Sequence, residues 1–588
     1  QNLSEEKVVK HIKKIIKKSY EFIGYIEFAN QINNIVENKS KKSKKIKEKF
    51  SDRLVIIDEV HNIRTQDNSS GETDNVKSRR TIGNFLDLVT YADNMKLLLL
   101  TATPMFNNSK EIIWLTNLMN LNDKRFPIKI KDVFDEKGDL YPSGKRLLID
   151  KLTGYVSYLS GENPFTFPYR IFPKYANNPN SLLHLLENDS WNYPSKQMNE
   201  KKIFTKNQMK YLDLFMTSLS TEQEQIYNYA INTYKNRKNS HLTEGRSGIP
   251  MKYIEGPLQI LNMAYPHEKL TNNPDLTEDI VKYCYGKPGL SRVMEGSSKK
   301  KNLRYTKSVL DNFGRIFSSV GDDESPLKKY SSKMYSIIQK IKKSEGIVII
   351  YSNYIDGGCV PMALALEEAG ITRYGSTSSL FKSPPVSNFK INNENAKYIM
   401  ITGDKDLSPK TETELAAATS SLNTNGEKVK VVIISRAGSE GLDFKNIRQI
   451  HILEPWYNLN RIDQILGRGV RNKSHCALPF TKRTVEIFMY GTKLTDPTIE
   501  CIDLYVYRTA EKKSINIGKI TRLLKENSID CMLNKTQQEF NANVMNKSVE
   551  LTLSDNNKIT FDVGHKNNSI ICDFMNCEYY CSPNDDAI

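Results

Sequence analysis

The chain has 588 residues, with 84 Lys and Arg against 68 Asp and Glu, a formal net charge of +16 and 39% hydrophobic residues. That length favours two to four domains, and the hydrophobic share excludes a mainly disordered chain. No apolar run approaches the roughly 20 residues of a membrane span, and the charge predicts a polyanionic partner, most simply nucleic acid.

Residues 1–155 read as α/β. The lysine-rich amphipathic segment Gln1 to Tyr20 has no signal-peptide apolar region, and the chain begins with Gln rather than Met. It reads as a fragment that starts inside a domain. Asn38 to Lys49 is a lysine-serine run, expected to be a solvated loop, and Asp67 to Arg80 a second polar loop. Leu54–Ile57 and Leu97–Leu100 are continuous apolar runs of strand length, expected to be parallel strands buried on both faces. A helix is expected over Glu111 to Leu121. Residues 156–325 are irregular and read as an inserted or accessory region, with a helix at Ser220 to Arg237.

From residue 326 to 500 the α/β alternation returns. A helix pattern at Lys328 to Lys343 leads to a strand at Gly346 to Tyr351, then a helix at Val360 to Ala369. Further strands are Val429 to Ile434 and Gln449 to Leu453. Such alternation implies a doubly wound parallel sheet. Residues 501–588 form a C-terminal extension with a helix at Ile515 to Asn527.

Three stretches are candidates for chemistry. Ile56-Ile57-Asp58-Glu59-Val60-His61 ends a buried strand in two adjacent carboxylates. In such sheets ligands gather at the carboxyl ends of strands. Asp58 would hold Mg²⁺, usually through water, and Glu59 would polarise an attacking water. His61 would touch nucleotide and the neighbouring lobe. About forty residues on, the second strand ends in Thr101-Ala102-Thr103-Pro104. Thr101 and Thr103 could hydrogen-bond the carboxylates, or Thr103 could cap a helix with Pro104 at its first position. Far downstream, Gln464-Ile465-Leu466-Gly467-Arg468-Gly469-Val470-Arg471 places Arg468 and Arg471 three apart on one helical face, suited to gripping phosphate.

With Ala437 to Asp443, these stretches occur in an order that resembles the superfamily 2 helicases of the DExH type. The resemblance implies two RecA-like lobes around one NTP, the first incomplete at its N-terminus. It implies that Gln464, Arg468 and Arg471 face the γ-phosphate, and that Gly441 and Asp443 meet nucleic acid and nucleotide. A narrower set is Val156 to Pro164, Glu454-Pro455-Trp456-Tyr457-Asn458, Ser474-His475 and Ile529-Asp530-Cys531. It is similar to the NTPases of large cytoplasmic DNA viruses, the group of the poxvirus early transcription factor small subunit and nucleoside triphosphate phosphohydrolase I. That similarity implies a DNA-dependent ATPase using ATP and Mg²⁺. It implies action on double-stranded DNA with a viral RNA polymerase or a second transcription-factor subunit, in the host cytoplasm or virion. Relatives in the chromatin-remodeller group translocate on duplex DNA without separating strands.

No Gly-x-x-x-x-Gly-Lys-Ser/Thr occurs, and only 57 residues precede Asp58. Truncation ahead of Gln1 is the expectation, a degenerate enzyme the alternative. The chain as given is expected to bind NTP poorly and not to turn it over. A non-hydrolysing DNA-binding or polymerase-docking subunit is the competing function.

Eight cysteines in so long a chain fit a reducing compartment. Cys572, Cys577 and Cys581 cluster, and Cys531 or His565 could complete a zinc site. Neither spacing is a Cys-x2-Cys knuckle, so reduced thiols without metal are the preferred expectation. Trp456 and Tyr457 could stack on bases, though packing is the simpler role.

Overall fold

The computed structural model describes residues 5–36, 42–63, 75–136, 138–159, 162–235, 249–272, 278–296, 301–375, 379–385, 389–391, 394–436, 438, 442–538 and 540–582. It is α/β and divides into two compact units, Gln1–Tyr155 and Val156–Ile588.

In the first unit, β1 (Leu54–Ile57) and β2 (Lys96–Leu99) pair in parallel, Leu54 opposite Lys96 and Ile57 opposite Leu99. Only one face of this pair is covered. Ile57 is buried, whereas Leu54, Ile56, Leu98 and Leu100 on the alternate face are 42–61% exposed. Burial on both faces, expected from the apolar runs, therefore fails here among the described residues. The lysine run is no loop either: Lys42–Phe50 is a helix. Ile46 and Phe50, four apart, turn one apolar stripe inward, while Lys47 pairs with Asp93 at 2.8 Å. Residues 75–80, read as loop, begin the helix Asn75–Tyr91. Glu5–Ser19 is an amphipathic helix with Val9, Ile12 and Ile15 exposed.

The second unit is built on an eight-stranded sheet whose pairings are all parallel. Its strands in chain order are β3 (Tyr169–Ile171), β4 (Phe215–Ser218), β5 (Ile347–Ser352), β6 (Thr372–Arg373), β7 (Lys397–Ile401), β8 (Val431–Ser435), β9 (Ile447–Ile452) and β10 (Thr484–Lys493). Spatially they run β6-β7-β8-β5-β9-β10-β3, with β4 also on β10. Here burial is complete on both sides. Ile350, Met400 and Ile433 enter one core, while Ile349, Ile401 and Ile434 enter the other. That is why these strands are near-continuous Val and Ile. From β5, which lies between β8 and β9, the connection runs to β6 on one side, whereas from β9 it runs to β10 on the other, and ligand crevices form at the carboxyl side of such a switch in strand order, or sheet reversal.

Residues 156–325 are not a separate insertion. They supply β3 and β4, and Met263, Val293 and Phe317 share a core with Ile350 and Ile433. The C-terminal extension is likewise integral. Its helix runs Ile502–Glu526, thirteen residues earlier in onset than its sequence suggests, because Ile502, Leu504, Tyr505, Val506 and Tyr507 are all buried and show no one-sided pattern. A hairpin, β11 (Ser548–Thr552) with β12 (Lys558–Asp562), packs Phe561 against Tyr169 of β3.

The cysteine expectation is corrected. Cys531 pairs with Cys581, and Cys572 with Cys577, as two disulfides. Zinc needs thiolates, so these four residues do not fit a zinc site. His565 stands edge-on to Phe540 instead. No group of metal-ligating side chains large enough to cage an ion is present among the described residues. No described helix is long and apolar enough to cross a membrane.

Candidate functional site

The first unit assembles its residues around one histidine. The strand β1 ends at Ile57, and Glu59 then takes the left-handed conformation, φ 50° and ψ 46°. That turn lifts Val60 to Asn62 into a short 3₁₀ helix, and Val60 N–H donates to the Leu100 carbonyl beyond the end of β2 at 3.1 Å. Neighbouring strand ends are thereby tied together. His61 is buried, stacked on Phe106 with ring centroids 5.8 Å apart. Its Nδ1 lies 2.9 Å from Thr101 Oγ1, 3.3 Å from Thr103 Oγ1 and 3.2 Å from Glu59 Oε2. Thr103 N–H donates to Thr101 Oγ1 at 3.0 Å.

Two expectations change. The hydroxyls of Thr101 and Thr103 are directed to His61, which links them to Glu59 through the imidazole. Thr103 does not cap a helix: Asn108 does, accepting from Lys110 N–H ahead of Ile112–Asn122. Asp58 and Glu59 remain exposed to solvent, and Asp58 Oδ1 accepts from Glu59 N–H at 3.1 Å. A single exposed carboxylate fits Mg²⁺, which keeps much of its water and takes the rest from phosphate. One neighbour went unread in the sequence. Tyr25 sits close enough that burial, then the charges of Asp58 and Glu59, hold its phenol above the ordinary value. It lies 33 positions before Asp58 with no motif around it.

The second unit gathers its residues at the carboxyl side of the sheet reversal. The helix Leu459–Gly469 is capped by Asn458, which accepts from Arg461 N–H. Gln464 and Arg468 lie on it, partly exposed. Arg471 does not share their helical face. The helix ends at Gly469, and Val470 leaves helical conformation with φ −105° and ψ 89°. Arg471 is instead ion-paired with Asp443. Phe444 N–H donates to the Arg468 carbonyl at 3.0 Å, and an Arg468 guanidinium nitrogen reaches the Leu442 carbonyl at 3.5 Å. Residues 442–444 and 468–471 are thus stapled together. Gly438 is fixed by close approach, since a Cβ there would stand 2.0 Å from the Ile401 carbonyl oxygen. Gly441 lies outside the described residues.

Arg170 is a further residue that no motif announced. It is ion-paired with Glu162 and with Asp463, the latter at 3.2 Å. Asp463 adjoins Gln464, so Arg170 on β3 holds the helix that presents Gln464 and Arg468. Trp456 lies under Arg461, whose guanidinium carbon is 4.3 Å from the ring centroid, and Tyr457 donates to the Ile249 carbonyl. Both aromatics are used in packing.

His475, after Arg471, is buried and bridges Ser474 Oγ (2.8 Å) and the Ile447 carbonyl (2.6 Å). Burial pushes its imidazole down to about 4. A histidine with a depressed folded value binds fewer protons than in the unfolded chain, so its contribution is lost as pH falls below about 6.5. Between pH 6.5 and 5 the wild type is expected to lose about 2 kcal/mol more stability than His475→Gln. Parallel slopes in denaturant titrations at the two pH values would refute this.

The Helicase conserved C-terminal domain matches residues 332–473. A protein of Acanthamoeba polyphaga mimivirus named as an ATP-dependent RNA helicase is 27% identical over 574 residues, covering 90% of this chain and 44% of that protein. A protein of Invertebrate iridescent virus 3 named as a helicase is 26% identical, covering 97% and 46%. A termination factor NPH-I homologue of African swine fever virus is 25% identical, covering 82% and 63%. The chain spans about half the length of the first two. Among solved structures, the Pyrococcus furiosus Hef helicase domain aligns at 13% identity and a TM-score of 0.30, covering 84% of this chain and 85% of that one. The chain carries a helicase conserved C-terminal domain, and its relatives are viral helicases, NPH-I termination factor homologues among them.

Proposed function

We propose that this chain belongs to an ATP-driven nucleic-acid motor that works on double-stranded DNA beside a viral RNA polymerase, in the cytoplasm of an infected cell. The observation that carries the reading is the strand end at Asp58-Glu59. Glu59 is held in a left-handed turn, and His61 ties it to two threonine hydroxyls at the end of the next strand. Polar groups concentrated at strand ends, with a strained carboxylate among them, are what a reaction centre needs rather than what packing needs.

In the proposed reaction, water attacks the γ-phosphate in line. An oxygen–phosphorus bond forms, the bond to the β-phosphate oxygen breaks, and ADP leaves. Glu59 takes the proton of the water. Asp58 would hold Mg²⁺ through its hydration shell, the metal neutralising phosphate charge when bound. Gln464, Arg468 and Arg471 would bind the developing negative charge. Arg471 would exchange Asp443 for phosphate, which is feasible because the pair is half-exposed. Gly441 and Asp443 would meet nucleic acid and nucleotide. Arg170 keeps the helix of Gln464 in position.

ATP turnover by the full-length protein, with duplex DNA, single-stranded DNA or RNA added, tests the reading. Duplex DNA is expected to stimulate turnover, less so as salt is raised. Stimulation by RNA alone would replace the duplex assignment. Salt-dependent DNA binding with no turnover would favour the docking subunit instead.

A further inference from the structure

Outside that machinery, the helix Gly286–Val293 presents an unusual arginine. Arg292 Nε and Nη2 are both buried, and among the described residues neither meets an acceptor. Each buried donor left unmade costs about 1–3 kcal/mol. These two nitrogens form one edge of the guanidinium, the edge that grips two oxygens of one oxyanion.

The surroundings favour an anion. Arg292, His267, Tyr283, Pro288 and Ser291 line a groove of about 420 Å³. Burial, and then the nearby charge of Arg292, hold His267 below its ordinary value; Glu268 opposes them and Lys269 adds to them. The Glu268 carboxylate accepts from Ser308 Oγ and from Asn312 Nδ2 at 3.3 Å, and its charge reaches Arg292 without outweighing the burial that holds the guanidinium below its ordinary value. The Lys282 ammonium stands 5.3 Å from the Tyr283 ring centroid. Lys269 N–H donates to His267 Nδ1 at 3.2 Å, which leaves Nε2 of the neutral imidazole as a donor. The groove exceeds a lone phosphate in size. The exposed ring of Tyr283 and the exposed Pro288 offer flat apolar surface beside the charge.

We propose that this groove binds a nucleotide phosphate, the Arg292 guanidinium turning its unsatisfied Nε–Nη2 edge outward to become a two-toothed ligand. The phosphate belongs either to a nucleic-acid backbone or to a free nucleotide. The first source rests on the motor reading above; the second does not. The groove would then be a contact outside the motor's catalytic residues.

The test uses the full-length protein with histidine imidazoles observed by NMR, the His267 signal being assigned by its loss in His267→Gln. Inorganic phosphate and 5′-AMP are titrated first. Both are expected to raise the His267 pKa in the wild type and not in Arg292→Gln. A duplex oligonucleotide follows. If its backbone is the source, Arg292→Gln is expected to weaken binding about tenfold and to reduce the salt slope by about one. Unchanged duplex affinity with a phosphate-dependent His267 shift assigns the site to free nucleotide. A wild-type His267 signal that ignores phosphate, 5′-AMP and duplex overturns the proposal, whatever ATP turnover shows. Arg292→Lys keeps charge but loses the fork, and is expected to fall between. If Arg292→Gln melts early while wild-type His267 ignores every probe, the arginine is structural only.

Discussion

Replacing Lys333 with methionine, Asp503 left in place, is expected to cost about 3–5 kcal/mol of stability. Both side chains are wholly shielded from solvent, and Lys333 Nζ meets Asp503 Oδ2 at 2.9 Å and the Leu453 carbonyl at 3.1 Å. Asp503 also accepts from Thr492 Oγ1 at 2.6 Å and from Leu504 N–H at 2.8 Å. The pair therefore joins the helix Ser332–Lys343, the end of β9, strand β10 and the helix Ile502–Glu526. Removing the lysine leaves a carboxylate in the core without a counter-charge, and that uncompensated charge is the larger part of the loss. Replacing both, Lys333→Met with Asp503→Leu, is expected to recover most of it. Denaturant unfolding of the three variants measures this. A loss under about 1 kcal/mol in the single variant would mean that water reaches the pair.

That ion pair also shows where sequence reading ends. Lys333 lies within a helix that its spacing announces, yet its partner is 170 positions away, and no local pattern encodes that meeting. Strands β5, β8 and β9 were legible because burial on both faces demands unbroken apolar runs. Strands β3, β4 and β7 were not: the first two are three and four residues long, and Lys397–Ile401 opens with a polar residue. The Asp58-Glu59-Val60-His61 stretch stood out as a candidate site because adjacent carboxylates at a strand end serve no packing purpose. Its internal wiring was not legible. Which oxygens His61 would meet depends on the turn at Glu59, a backbone choice that glutamate does not announce. Arg471 was misread for a related reason: a spacing of three implies a shared face only while the helix lasts, and this one stops at Gly469. The disulfides depend on where a distant segment returns, and Cys531 and Cys581 are 50 positions apart.

Glu59 offers the sharpest functional test, because its backbone and its side chain make opposite predictions. A residue with a Cβ in the left-handed region carries about 1 kcal/mol of strain. In its pair with the buried His61 the Glu59 carboxylate is half-exposed, so the pair contributes little in return. Glu59→Gly is therefore expected to raise stability by about 1 kcal/mol. If Glu59 accepts the proton of the attacking water, Glu59→Gln in the full-length protein is expected to lower kcat about a hundredfold to ten-thousandfold. Nucleotide and DNA binding should be nearly unchanged, because the amide keeps the size and hydrogen-bonding reach of the acid. Glycine should remove turnover equally while melting higher. A glutamine variant that still hydrolyses ATP at the parent rate would remove Glu59 from the reaction. A glycine variant that loses stability would show that the carboxylate is retained to hold His61, and the strained turn would then belong to the fold rather than to catalysis.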